Sequence, residues 1–372
     1  MHSHIKYIDG LKGISAIWIT LLHYILAFIP IGYIGWSCGI NESDRASIYF
    51  SNLPISIFTN SSFPLYTFFA LISFISALIF FRNHDRKFIV KQAVKRYFRL
   101  LIPILACTLI CYMLMACGVM FNSELGKIAP SHWSSVFYQD GYSLTGALKS
   151  AFYTTFIYGD GYYCSILWCM NIIFIGSYLT YPILALFGKS KFRWIIYLIT
   201  FFACIKIRAD YTAFVMGIAA ADIANKLQHH SMPNKLSFTL FISGLLVGNI
   251  IPPISLPNWL QISVLYSIGN FLILIGVSQC IAMKNFLEKN ALCKIGRYSF
   301  PLILVHFPIM MSLSAWIFVE LRQADFAFTP SLLISWIASV PILMIAVVLF
   351  YRFVELPSEK LANFIYEKFF LK

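Results

Sequence analysis

The chain has 372 residues, of which 59% are hydrophobic, 17% aromatic and only 12% charged, and its mean hydropathy is +0.77. A soluble domain carries roughly 25% charged residues, so a water-soluble fold of this length is excluded and the apolar excess must face lipid. The net charge of +13 would suit a nucleic acid, but Lys and Arg gather in short segments between apolar runs, the pattern of cytoplasmic loops. No nucleic-acid partner is expected.

A membrane span needs roughly 20 mostly apolar residues. That rule predicts helices near 13–33, 64–82, 97–120, 164–187, 193–208, 210–227, 236–252, 260–283, 298–320 and 329–353. The fold class is therefore all-α, a polytopic integral membrane protein with about ten transmembrane helices. The segments 193–208, 210–227 and 236–252 are the weakest, being short or carrying Lys206, Asp210 and Asp222. Alternating the loops places 22 of the 28 Lys and Arg on one side, which predicts both termini in the cytoplasm. Residues 1–355 form the transmembrane domain, and 356–372 read as an amphipathic tail on the inner leaflet of the lipid bilayer. The first apolar run is longer than the core of a signal peptide and lacks a small-residue cleavage site, so it reads as the first span.

The segments 34–63 and 121–163 fall on the other side and hold Trp36, Trp133, Tyr138, Tyr142, Tyr153, Tyr158, Tyr162 and Tyr163. Such rings suit carbohydrate faces and equally an interfacial belt. The nine cysteines show no C-x-x-C pair and no repeated spacing. They read as small free hydrophobes, with neither a disulfide framework nor a metal site expected. His229-His230 reads as a solvated pair in a polar loop.

Ionisable residues inside spans are costly and are functional candidates. His23 lies about ten residues into the first helix and His306 about nine into the ninth. Both helices start at the same face, so both imidazoles sit ~15 Å deep at 1.5 Å per residue. At one level they can line one cavity, and imidazole suits a general base for a hydroxyl. A hydrogen-bonded structural histidine has the same position. Lys12 precedes His23 by eleven residues, about 20° past three full turns, and so shares its face. Asp9 is one turn before Lys12 and can pair with it. Arg96 and Arg99 share a face at i, i+3, and their guanidinium forks suit phosphate oxygens.

These pieces, in this order, resemble the acyltransferase 3 family of membrane O-acyltransferases. Asp9-Gly10-Leu11-Lys12-Gly13-Ile14 followed by His23 is similar to its D-G-L-[RK]-G-[IL] opening with [RK]-x10-H spacing. Arg96-Tyr97-Phe98-Arg99 matches its R-x-x-R segment, and Phe68-Phe69-Ala70-Leu71 stands where the family has F-F-x-L-S-G-F. Trp168-Cys169-Met170 with Gly176-Ser177 resembles the W-T-M…G-S helix, and the run from Tyr298 to His306 the S-Y-x-L-Y-L-x-H helix. Phe353-Val354-Glu355-Leu356-Pro357 matches the closing [FY]-x-E-x-P. The S-G of the second helix is Ile72-Ser73 here, and Ile173 replaces an acidic residue often seen after W-T-M.

The resemblance implies a stand-alone member without a fused hydrolase-like domain, in the cytoplasmic (inner) membrane. It implies acyl transfer, usually of acetyl, from cytoplasmic acyl-CoA to a hydroxyl of a glycan or glycolipid acceptor. Acetyl-CoA or another acyl-CoA is then a substrate, with no permanently bound cofactor. His23 would deprotonate the hydroxyl or carry the acyl group, with Lys12 and Asp9 beside the CoA entrance. Arg96 and Arg99 would hold CoA phosphates, and His306, Trp168 and Glu355 would belong to the substrate-binding set. A transporter of an acylated or anionic solute is the alternative. It would call for repeated, paired broken helices, which the sequence does not show.

Overall fold

The computed structural model describes residues 5–29, 56–60, 62–129, 133–229, 232–250 and 262–370. Trp36, Cys38 and His230, and the ends of the predicted helices at 30–33, 251–252 and 260–261, lie outside the described residues. All regular elements among the described residues are helical. Among the described residues seven helices are long and apolar enough to cross a membrane, and the protein is a polytopic all-α membrane protein.

The long helices begin with α1 (Lys6–Phe28), α2 (Ser62–Asn83) and α3 (Arg86–Ala116). Short α4 (Asn122–Ile128) and a helical stretch over 144–158, α5, follow. Next come α6 (Trp168–Pro182), α7 (Arg193–Ile207), α8 (Thr212–Lys226), α9 (Asn234–Val247) and α10 (Ile262–Gln279). Then α11 (Ile281–Leu287) and α12 (Asn290–Arg297) lead into α13 (Ser299–Ile309) and α14 (Ala315–Gln323), joined by the π turn Met310–Ser314. Finally α15 (Phe328–Phe350) runs through the π turn Tyr351–Glu355 into α16 (Leu356–Phe370).

The three weakest predicted spans are the three short helices α7, α8 and α9, of 15, 15 and 14 residues. At 1.5 Å per residue they reach ~22 Å, short of a ~30 Å hydrocarbon core. Between α7 and α8 the Arg208–Asp210 ion pair (2.8 Å) breaks the apolar run and the helix with it.

The chain divides into two compact units. The first comprises Met1–Ser15, Ser51–Arg96 and Ile172–Arg297. Its centre is a bundle of α2, α8, α10 and α9. Hydroxyl and amide pairs cross it: Thr67 Oγ1 donates to Asn270 Oδ1 at 2.6 Å, and Thr212 and Ser267 share a 2.7 Å bond. Interhelical bonds of this kind supply association energy where lipid removes the hydrophobic drive between helices. The opening of α1 lies against α11 and α12 in the same unit. A Cβ on Gly10 would come within 2.0 Å of the Leu287 carbonyl oxygen, and one on Gly296 within 1.9 Å of the Asp9 carbonyl oxygen. The glycines of the opening motif are thus backbone-to-backbone contacts. Cys293, on α12, donates toward the carbonyls of Lys6 and Leu287. Burial first, then the Asp9 and Glu288 carboxylates, push its thiol up, so it keeps the proton it donates.

Gly296→Ala is accordingly expected to force α1 off α12. Overpacking costs about 1–3 kcal/mol where neighbours can shift, and main-chain atoms shift least. The thermal midpoint in detergent should drop measurably, and an unchanged midpoint would show that this contact is not close.

The second unit comprises Ala16–Phe50, Tyr97–Asn171 and Tyr298–Lys372. Here α13 and α14 pack on α15, and α4 on α14. Tyr24 on α1 shares a 3.1 Å bond with Ser314, whose hydroxyl donates to Ser339 at 2.7 Å. That relay ties the second half of α1 to α15. Pro308 in α13 lacks the amide that would serve the Leu304 carbonyl. The Cys107 thiol of α3 donates to that carbonyl instead, at 3.4 Å. In α16 the buried residues Ser358, Ala362 and Tyr366 recur every fourth position, and Ser358 donates to the Arg99 carbonyl at 2.9 Å. Leu361, Phe364, Phe369 and Phe370 stay exposed.

Candidate active site

His23 projects from α1 and His306 from α13, both within the second unit. Their ring nitrogens meet, His23 Nδ1 to His306 Nε2, at 2.8 Å. His306 is fully buried, and its Nδ1 lies 3.0 Å from the Leu302 carbonyl oxygen one turn earlier in α13. These contacts assign the protons. A carbonyl oxygen can only accept, so His306 carries its proton on Nδ1. A neutral His306 then offers a bare Nε2, and His23 must donate its Nδ1–H to it. The free lone pair of the chain ends up on His23 Nε2. The direction of the relay is fixed by a backbone carbonyl, which does not titrate.

Aromatic rings hold this pair. The His23 and His306 rings are nearly parallel, with centroids 5.1 Å apart. Trp133 stacks on His23 at 5.9 Å with 9° between planes. Trp133 also meets Phe137 and Phe307 edge-on, at 4.9 and 6.0 Å. An imidazole fixed between an indole and a second imidazole has little rotational freedom, which is what a base with one usable nitrogen requires.

The structure therefore brings His23 and His306 together, as their equal depth predicts. It also brings Lys12 to Asp9, with Nζ 3.4 Å from Oδ1, in the opening turns of α1 within the first unit. Arg96 and Arg99 are one turn apart on α3. Arg96 is assigned to the first unit and Arg99 to the second. Trp168 opens α6 and is 38% exposed, and Glu355 closes the π turn between α15 and α16. In the sequence Trp133 is one aromatic among several in a loop. No spacing rule connects it to His23, and its position depends on how the segment after α4 returns to α13.

The fold and site define a polytopic helical membrane protein with a histidine pair, one ring buried and one partly exposed, in one of its units. The chain belongs to the acyltransferase 3 family, whose model, described as an acyltransferase domain, matches residues 5–352. It is a membrane acyltransferase acting on some acceptor. No curated protein and no solved structure matches the chain.

Proposed function

We propose that the protein is an O-acyltransferase of the inner membrane, with both termini in the cytoplasm. In this reading it moves an acyl group, acetyl in the first instance, from cytoplasmic acyl-CoA to a hydroxyl of a surface glycan. Lipopolysaccharide O-antigen and exopolysaccharide are acceptors of that class. The observation that carries the reading is the one-way hydrogen-bond chain from Leu302 through His306 to His23. It leaves a single oriented lone pair, on Nε2, for a substrate hydroxyl.

His23 Nε2 takes the hydroxyl proton while the hydroxyl oxygen attacks the thioester carbonyl carbon. The new C–O bond forms, the C–S bond breaks, and the departing CoA sulfur recovers the proton from His23. Throughout, His23 Nδ1–H stays on His306 Nε2, so the transient imidazolium is stabilised by an acceptor already in place. His306 is thus a positioning residue. Arg96 and Arg99 hold the CoA phosphates, Lys12 with Asp9 lies at the CoA entrance, and Trp168 and Glu355 complete substrate binding.

The test is release of free thiol from acetyl-CoA by the purified protein in nanodiscs, with and without a cell-surface glycan extract. Release that rises with the extract supports the reading. Movement of an anionic solute across a sealed vesicle, without thiol release under any condition, would replace it with the transporter. His306→Ala is expected to remove one hydrogen bond to a charged partner, about 1.5–3 kcal/mol. That corresponds to a roughly ten- to hundred-fold loss of rate, a smaller loss than for His23→Ala. Equal losses would make the two histidines equivalent and contradict the assigned direction.

A further inference from the structure

Cysteines spaced without pattern in sequence come together in the second unit. Cys107 and Cys111 stand one turn apart on α3, and Cys164 caps the 3-10 turn before α6. Their three sulfurs lie within 4.8 Å of one another, and all three residues are buried. A metal–sulfur bond of ~2.3 Å sets sulfurs ~4.0 Å apart around a trigonal ion, so shifts of well under an ångström close this set around one. Tyr138 adds a second observation. It holds a left-handed backbone (φ 59°) that non-glycine residues rarely adopt, and its buried hydroxyl makes no well-formed hydrogen bond. That hydroxyl lies beside the Cys111 thiol, with Cys107 and Cys164 near.

We infer that Cys107, Cys111 and Cys164 form a binding site for one soft monovalent cation, Cu(I). Three sulfurs with no carboxylate or imidazole in the set select a soft ion. Zinc prefers four ligands, and a single positive charge is the least costly to place among apolar helices. On binding, the S–H bond of Cys111 is replaced by a Cu–S bond and one proton leaves to solvent, so a single thiolate neutralises the single positive charge. Cys107 and Cys164 bind through sulfur lone pairs and keep their protons, the Cys107 S–H still donating to the Leu304 carbonyl. No electron is transferred. The Tyr138 O–H donates to the Cys111 thiolate, an outer-shell bond of the kind that steadies metal ligands.

Such an ion would pin the segment that begins at Trp133 to α3, and Trp133 is the ring stacked on His23. Metal occupancy and the order of the acyl-transfer site would then be linked, although the site itself is independent of which acyl group is transferred.

The experiment titrates full-length protein, purified under reductant and held anaerobic in nanodiscs, with Cu(I) supplied as its bicinchoninate complex. Loss of the chelator's colour reads transfer to protein. The triple variant Cys107→Ser/Cys111→Ser/Cys164→Ser serves as the blank, because it retains copper held by His23 and His306. One equivalent above the blank is expected, together with a raised thermal midpoint. Affinity should fall at least tenfold in Cys164→Ser, which lies off the helix and tests the site even where the α3 variants fail to fold. Uptake by wild type no greater than the blank would overturn the proposal. So would a disulfide joining Cys164 to Cys107 or Cys111 in protein isolated without reductant. Cysteine-dependent uptake of Zn(II) with none of Cu(I) would overturn the assignment of the ion.

Discussion

His23→Ala is expected to lower the initial rate of thiol release from acetyl-CoA by about 10²–10⁴-fold, the usual range for loss of a general base. The effect should be large because the hydrogen-bond chain has only one productive end. His306 cannot substitute, since its Nδ1 faces the Leu302 carbonyl and its Nε2 faces the vacated position. His23→Gln sharpens the result. Glutamine can still donate an N–H to His306, so packing is largely kept while the base is lost. Both variants should elute as wild type does. A His23→Gln protein with near-full activity would remove His23 from the chemistry.

Arg193→Ala is expected to be the most damaging single change for stability. Asp222, at 1% side-chain exposure, is held on both oxygens, by Arg193 Nε at 2.6 Å and Nη2 at 2.8 Å, with Lys226 Nζ farther at 3.9 Å. Removing one partner of a buried ion pair costs about 3–5 kcal/mol because the other is left uncompensated. The two halves are unequal here. Arg193 is 21% exposed and can turn to solvent, whereas Asp222 cannot. The order expected for thermal midpoints is therefore Arg193→Ala lowest, Asp222→Ala higher, and the double variant above Arg193→Ala. A double variant that is simply additive would show that the pair is not coupled.

Asp222 also shows where sequence reasoning reached and where it stopped. A carboxylate inside an apolar run weakens the case for a helix, and α8 is indeed short. Its partner lies at the start of another helix, which composition along one run does not reveal. The histidine pair was legible because the Lys and Arg pattern predicts that both helices start at the same face, so depth could be counted. The direction of the pair was not, since it depends on a main-chain carbonyl. The opening glycines matched a family pattern, yet their purpose appears only when Gly10 and Gly296 are seen against the backbones of α11 and α1.

The departure at Ser73, where the family has glycine, also finds an explanation in packing. A Cβ on Gly217 would lie 2.1 Å from Ser73 Oγ, so the small residue needed at that helix crossing stands on α8 instead. Cys107 and Cys111 share a helix face by their spacing alone. Cys164 joins them through a loop whose path no periodicity encodes, which is why the cysteines read as scattered. Likewise, Pro308 is visible in the sequence, but the thiol that serves the carbonyl it leaves without an amide donor is not.

The most direct test of the central claim follows the fate of the acyl group. Wild-type protein in nanodiscs is given acetyl-CoA labelled on the acetyl carbon together with a glycan extract, and the glycan fraction is analysed for label. Label is expected in an alkali-labile ester on the glycan, in equal amount to the CoA thiol released, with neither product from His23→Gln. Thiol release with no esterified acceptor, or label transferred equally well without His23, would contradict that claim.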